Sequence, residues 1–293
     1  MTPLGKLEIR NSRLVECPIT ALKVYHVNDQ HALVQAAGYI KYLVAQKNNQ
    51  NVYYRGQSQI YTELLPSLYR GVGTPAGRSA KTESLNKLVA NLKKSEGIFK
   101  NMPDLVVEPL LQHYGIQTTW LDLVDNIWVA LWFACYKSVS AGKDNKYLNF
   151  EKRVERREND DKRYAYIYLI STDLANAAVV HPGVWKGSKT ELVDLRLAAP
   201  SIFLRPHAQH GLLFRNLGIP GGRAPDYSSS IAGILRINLS DALEWLGDGR
   251  LLDTHSLFPP ATYDNGYRIL LESQSIFEVD IKLSIGTINY LGT

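Results

Sequence analysis

Arg55 stands between Tyr53-Tyr54 and Gly56-Gln57. A guanidinium there offers a rigid fork of donors suited to a phosphate or a carboxylate. The glycine after it lets a ligand or a neighbouring backbone come close. The competing reading is a structural arginine that clamps a carbonyl or Asp122. A second polar run, Gln112-His113-Tyr114-Gly115-Ile116-Gln117-Thr118-Thr119-Trp120-Leu121-Asp122, holds five more candidates. His113, beside Tyr114, has the chemistry of a base, of a ligand hydrogen-bonder, or of a satisfied buried histidine. Thr118 and Thr119 carry hydroxyls able to orient a sugar or an amide. Asp122, between Leu121 and Leu123, reads as buried and so needs a cationic partner, Arg55 or Arg70. A third cluster, Arg205-Pro206-His207-Ala208-Gln209-His210-Gly211, supplies a late amide at Gln209. His207 and His210 raise a metal reading, but no Cys, His, Asp or Glu set completes it with recognisable spacing, and no metal is expected.

These groups need elements to position them. From Asp29, apolar residues recur at Leu33, Ala36, Ala37, Ile40, Leu43 and Val44, one face of a helix that Asn28 or Asp29 can cap. Val52 to Arg55 reads as a strand entering a turn at Gly56. The Gly71–Pro75 stretch reads as a loop, followed by a helix from about Thr82. A short helix after Pro103 is broken at Gly115, and an extended piece runs through Trp120 and Leu121. Asp125 or Asn126 can cap a helix from Ile127 to Lys137 that is apolar on nearly all sides and therefore buried. The mixed-charge segment 143–163 reads as a solvated surface insertion. Strand patterns follow at Tyr166–Ile170, Ser201–Leu204, Leu212–Phe214 and Ile231–Ile237, with a loop at Pro220-Gly221-Gly222. Ser240 reads as the cap of a short helix through Trp245, and another helix spans Tyr263–Leu271.

Hydrophobic residues make up 45% and charged residues 21% of the 293, which argues for a folded body and against overall disorder. The formal charge of +5 permits an acidic ligand or nucleic acid without demanding either. Cys17 and Cys135 form no close-spaced motif, so a reduced chain is expected. Residues 1–13 hold no apolar core for a signal peptide, and no segment approaches the roughly 20 apolar residues of a membrane span. A cytoplasmic protein without membrane contact is the expectation. No Gly-x-Ser-x-Gly elbow, phosphate loop or dinucleotide glycine fingerprint is present, which disfavours classical hydrolases, kinases and Rossmann enzymes.

Four blocks together resemble the FRG domain, a family named for its Phe/Tyr-Arg-Gly signature. Tyr54-Arg55-Gly56-Gln57 with Leu65-Pro66-Ser67-Leu68-Tyr69-Arg70 is similar to the first block. Leu111-Gln112-His113-Tyr114-Gly115 through Leu121-Asp122, with Asn126 and Ala130-Leu131-Trp132-Phe133-Ala134, is similar to the second. Arg205, Ala208-Gln209-His210-Gly211 and Phe214 resemble the third, and Leu257-Phe258-Pro259 the closing motif. Thr119-Trp120 departs from the family's frequent Arg-Leu, and Val124 from its frequent hydroxyl residue. A second resemblance is to ADP-ribosyltransferases of the arginine-serine-glutamate type, with Arg55, Thr118 with Thr119, and Gln209 in the three positions. It implies that the arginine holds NAD phosphate or ribose, a hydroxyl orients the nicotinamide ribose, and the third group steadies the cationic transition state. Gln209 cannot do that as a carboxylate would, so His113 or Asp122 is the candidate substitute.

The expected fold is α+β: one domain in which a helix-rich N-terminal half packs on a mostly antiparallel sheet, with an ADP-ribosyltransferase-like arrangement as one realisation. Residues 1–50 form a helical lead-in, 51–275 the FRG-like domain, and 276–293 a C-terminal extension. The expected activity is NAD-dependent ADP-ribosyl transfer by a toxin or anti-phage defence effector, because FRG proteins occur in such systems. His113, Asp122 and Gln209 are the catalytic candidates. Arg55, Gly56, Gln57, Tyr114, Thr118 and Thr119 are the candidates for binding NAD, the substrate. The alternative is a non-catalytic module that binds a nucleotide, nucleic acid or protein in the same cleft. A nuclease with His113 as base ranks last.

Overall fold

Asp29 starts the first helix as the spacing of apolar residues requires: its carboxylate accepts the Ala32 N–H at 2.7 Å. In this computed structural model, residues 9–17, 22, 24–95, 97–142, 147–155, 160–174, 177–217, 225–273 and 285–290 are described. Two short strands, β1 (Ser12–Val15) and β2 (Val24–Val27), precede that helix, α1 (Gln30–Asn48), which buries Leu33, Ala36, Ala37, Ile40 and Val44. Asn49, in the left-handed region, ends it and turns the chain into β3 (Asn51–Gln57).

β3 does not turn at Gly56. The strand runs on to Gln57, because Gly56 is the point where a helix lies directly on the strand. A Cβ there would overlap the carbonyl of Ala130 and stand 2.8 Å from the Ala134 nitrogen. Helix α2 (Pro75–Lys94) begins seven residues before the expected Thr82. Thr74 accepts the Gly77 N–H at 3.1 Å, and Pro75 takes the first helical position, where its missing N–H costs nothing. α3 (Asp104–His113) ends ahead of Gly115, whose φ of 100° breaks the helix, and leads to β4 (Leu121–Val124). Asn126 caps α4 (Ile127–Cys135) by accepting from Trp128 N at 2.9 Å and Val129 N at 3.4 Å. α4 stops two residues short of Lys137, where β5 (Tyr136–Ala141) begins.

The 143–163 segment is not simply a solvated excursion. Residues 143–146 and 156–159 lie outside the described residues, but between them β6 (Tyr147–Lys152) pairs along its whole length with β5. Arg153 follows it and is buried. Its guanidinium donates to Ala134 O (2.6 Å), Tyr164 O (3.0 Å), Ser58 O (2.8 Å) and Lys162 O (3.4 Å), tying the end of β6 to three other stretches. Arg153→Met would leave these carbonyls without their donor. It is expected to cost about 3 kcal/mol of unfolding free energy, read as a lower urea midpoint at unchanged m-value. A change under about 0.5 kcal/mol would show that water replaces the guanidinium without penalty.

The second half supplies β7 (Tyr164–Thr172), β8 (Ala178–His181), β9 (Val184–Lys186) and β10 (Thr190–Asp194). Two short helices, α5 (Leu195–Ala198) and α6 (Arg205–Ala208), precede β11 (Gly211–Asn216). Ser201–Leu204 forms no strand: Phe203 N closes a turn on Pro200 O at 3.1 Å, and its buried ring anchors that turn in the core. The expected Pro220-Gly221-Gly222 loop lies outside the described residues. β12 (Ile231–Asn238), α7 (Leu239–Trp245), α8 (Thr254–Leu257), α9 (Asn265–Glu272) and β13 (Thr287–Ile288) complete the chain. Asn238, not Ser240, stands at the cap of α7, and Asp264 caps α9.

Among the described residues, ten strands form one sheet in the order β1-β2-β12-β7-β3-β4-β11-β10-β9-β8, and a smaller sheet has the order β13-β6-β5. In the large sheet only β12 with β2 is parallel. The fold is α+β, a single domain with a mostly antiparallel sheet. The central strands are covered on both faces. On β7, Ile167 and Leu169 pack with α1 and α4, while Tyr166, Tyr168 and Ile170 pack with Leu121, Leu123 and Phe214.

Candidate functional site

β3 and β4 share a single residue pair, Tyr54 with Val124; beyond it Arg55, Gly56 and Gln57 pair only with β7. The two strands therefore part, and a cleft of about 480 Å³ opens beside them. The end of β3, the end of α3 and β4 supply its polar side. β5, β6 and Phe258 supply an aromatic side that includes Tyr136 and Phe150. Phe150 and Phe258 stack with centroids 4.2 Å apart.

Arg55 spans the gap between the strands. Its Nη1 donates to the Asp122 carbonyl at 2.6 Å and lies 3.7 Å from the Asp122 carboxylate. The clamp reading is thus realised at one nitrogen, while Nε is buried with no partner. Burial holds the Arg55 pKa below its ordinary value, opposed by Asp122 and reinforced by the like charge of Arg70. Asp122 is less buried than its neighbours imply. Leu121 and Leu123 point into the core, so strand alternation turns the Asp122 side chain outward, and 43% of it is exposed. Gln112 holds that carboxylate, donating from Nε2 to Oδ2 at 2.8 Å. The Gln112 Oε1 in turn accepts from the Thr118 hydroxyl and from Ser67 at 3.3 Å, which fixes which way the amide points.

Across the cleft wall, Gln209 is held just as firmly. Its Nε2 donates to Leu257 O at 2.9 Å, so its Oε1 faces His113 Nδ1 at 3.1 Å and must accept. Nδ1 therefore carries the proton, and the neutral ring keeps Nε2 as a bare acceptor, buried and unpartnered. Burial lowers the His113 pKa, against the opposing effects of Asp122 and Gln209. The ring lies so close on Gly211 that any Cβ there would overlap it. Arg205 donates from Nη1 to His113 O at 3.0 Å, and its Nε and Nη2 have no partner.

Buried polar atoms without partners are rare in folded proteins and call for an explanation. Among the described residues there are six on side chains. Four belong to Arg55, His113 and Arg205, all on this one cleft; the other two are the indole nitrogens of Trp120 and Trp132. The FRG-domain family model matches residues 50–143, the stretch that carries Arg55, His113 and Asp122. The chain carries an FRG domain. No curated protein matches it, and no solved structure does. The FRG match supplies only part of the cleft: Phe150, Arg205, Gln209 and Phe258 reach it from beyond residue 143.

Of the residues singled out in the sequence, the fold brings Arg55, Gly56, Gln57, His113, Asp122 and Gln209 to the FRG cleft. Tyr114, Thr118 and Thr119 do not line it. Tyr114 is buried behind the wall, donating its hydroxyl to Asp264 at 2.7 Å. Thr118 is spent on Gln112. Thr119 gives both its N–H and its hydroxyl to Glu108, at 2.9 and 2.7 Å, beside a separate cavity. In the sequence Arg70 reads only as a possible partner of Asp122, and Arg205 and the aromatic side are not among the site candidates. Arg205 stood in a noted polar cluster, but nothing local showed that two of its donors would be left over. His210 faces away toward Asp125, its Nδ1 3.0 Å from Oδ1. Among the described residues no group of three or more His, Cys, Asp or Glu is placed to hold a metal ion, and no helix is long and apolar enough to cross a membrane.

Proposed function

We propose that the FRG cleft binds a nucleotide, with NAD as substrate, and transfers its ADP-ribosyl group in the manner of a toxin or defence effector. The observation that carries this reading is the complementarity of the orphaned groups. Arg55 Nε and Arg205 Nε and Nη2 lack acceptors, His113 Nε2 lacks a donor, and an aromatic wall stands opposite. Phosphate oxygens, a ribose hydroxyl and a flat base answer those three needs in one molecule. The lining holds three guanidiniums, of Arg55, Arg70 and Arg205, against one carboxylate, Asp122, which suits an anionic ligand.

In this reading Arg55 and Arg70 hold the pyrophosphate. The C1′–N bond to nicotinamide breaks, nicotinamide leaves with the bonding electrons, and the Asp122 carboxylate steadies the positive charge left on the ribose. The acceptor's nucleophile then bonds to C1′ and gives up its proton, for which the bare His113 Nε2 is the available base. Gln209, committed at both ends of its amide, positions that ring. Thr118, committed to Gln112, leaves the hydroxyl position of the arginine-serine-glutamate pattern unfilled, and because Gln209 is an amide the carboxylate duty falls to Asp122.

The test is nicotinamide release and target labelling from NAD by the purified protein. Asp122→Asn keeps the shape and removes the charge, and is expected to lower turnover by about 100-fold while NAD still binds. NAD binding with no turnover would move the protein to the non-catalytic alternative. No NAD binding at all would overturn the reading.

A further inference from the structure

Several buried or partly buried arginines in this protein are fully answered. Arg153 meets four carbonyls, Arg196 grips Asp194 through Nε at 2.9 Å and Nη2 at 2.7 Å, and Arg215 holds Glu191 through Nε at 2.6 Å. Arg205, only 3% exposed, departs furthest from that pattern. One nitrogen reaches His113 O, while Nε and Nη2, which together form one edge of the planar group, have no acceptor. Its faces are covered by aromatic rings: Tyr114 and Tyr267 each lie 4.4 Å away and Phe258 5.4 Å. Asp264, the carboxylate behind it, takes the Arg205 backbone N–H at 3.2 Å and the Tyr114 hydroxyl, not the guanidinium. An edge of two parallel N–H groups matches two oxygens of a single anionic group. Enclosure among rings strengthens that attraction, because little water screens it.

The pyrophosphate of the proposed ligand is already assigned to Arg55 and Arg70, next to Asp122. Arg205 enters the same cleft from α6, held to the His113 carbonyl and not to Asp122. We infer that the free edge of Arg205 receives a phosphomonoester carried by the nucleotide in addition to its pyrophosphate, so that the preferred substrate is the phosphorylated dinucleotide. This rests on the nucleotide reading of the cleft. A phosphomonoester carries about −1.5 to −2 charges near pH 7, more than a carboxylate can offer to an otherwise unmatched cation.

Calorimetric titration of the full chain with NAD, with its 2′-phosphorylated form and with its nicotinic-acid analogue separates the possibilities. The 2′-phosphorylated form is expected to bind at least about 10-fold tighter than NAD, and Arg205→Lys, which keeps the charge but loses the fork, to bring that ratio to about 1. NAD binding with no preference for the 2′-phosphate would overturn this inference and leave the nucleotide reading standing. So would a preference that survives in Arg205→Lys, or one for the carboxylate analogue instead. If Arg205→Lys does not unfold cooperatively, the wild-type ratio decides alone. If neither dinucleotide binds, the nucleotide reading fails by itself, and inorganic phosphate becomes the probe. A saturable rise in wild-type melting temperature, lost in Arg205→Gln, is then the expected result for a phosphoryl site, and no rise overturns it.

Discussion

Gly56→Ala is expected to destabilise the protein by about 3 kcal/mol, a large share of the roughly 5–15 kcal/mol that holds a domain together. The added methyl group would occupy the position of the Ala130 carbonyl and crowd the Ala134 nitrogen, both of them backbone atoms of α4. No side chain can rotate out of the way. α4 would have to lift off β3, and it cannot do so locally, since Ala130, Leu131, Trp132 and Ala134 are all fully buried in the surrounding core. The control is Gly38, exposed in the middle of α1, where an added Cβ would meet nothing within 4 Å. Gly38→Ala is expected to stabilise by about 0.5–1 kcal/mol through helix propensity and a less flexible unfolded chain. Urea unfolding of both variants checks the pair. A Gly56→Ala protein as stable as wild type would mean that α4 is not seated on β3 as described.

Arg55→Ala is expected to weaken nucleotide binding by about 100-fold, equivalent to about 2.7 kcal/mol, with a change in stability of no more than about 1 kcal/mol. The two halves of that expectation have separate causes. Binding falls because the guanidinium is a cationic group lining the cleft where β3 and β4 part, with its Nε still unpaired. Stability changes little because two effects offset one another. Removing the side chain loses the bond to Asp122 O, but it also removes a buried donor without a partner and the repulsion from Arg70. Gln112 continues to hold the Asp122 carboxylate. The opposite pattern, a loss of several kcal/mol in stability with ligand affinity intact, would make Arg55 a structural clamp and nothing more. Isothermal titration and denaturant unfolding of the same preparation distinguish the two.

Much of the helical framework could be read locally. Asp29 and Asn126 cap α1 and α4 where the apolar spacing begins, because a cap is an interaction over two or three residues. The early start of α2 was legible too, in Thr74 followed by Pro75, although the glycines before them masked it. Strand β10 was not legible. Its sequence, Thr190-Glu191-Leu192-Val193-Asp194, looks half polar, yet every residue is buried. Glu191 can be buried because Arg215 on β11 is its direct cross-strand neighbour and holds it by a charge-assisted bond. The partner sits 24 positions away, beyond any local pattern.

The candidate cleft divides along the same line. By itself the sequence determined the chemistry on offer: an arginine before a glycine, a histidine at a helix end, a carboxylate between two leucines and a late glutamine. The tertiary structure decided which of those groups are spent and which are left over. Thr118, Thr119 and Tyr114 each found a protein partner, while Arg205, the same residue type as the fully answered Arg153, kept two donors unpaired. That difference is physical. Whether a buried donor is satisfied depends on acceptors that other segments bring within about 3 Å, and only the folded chain sets those distances.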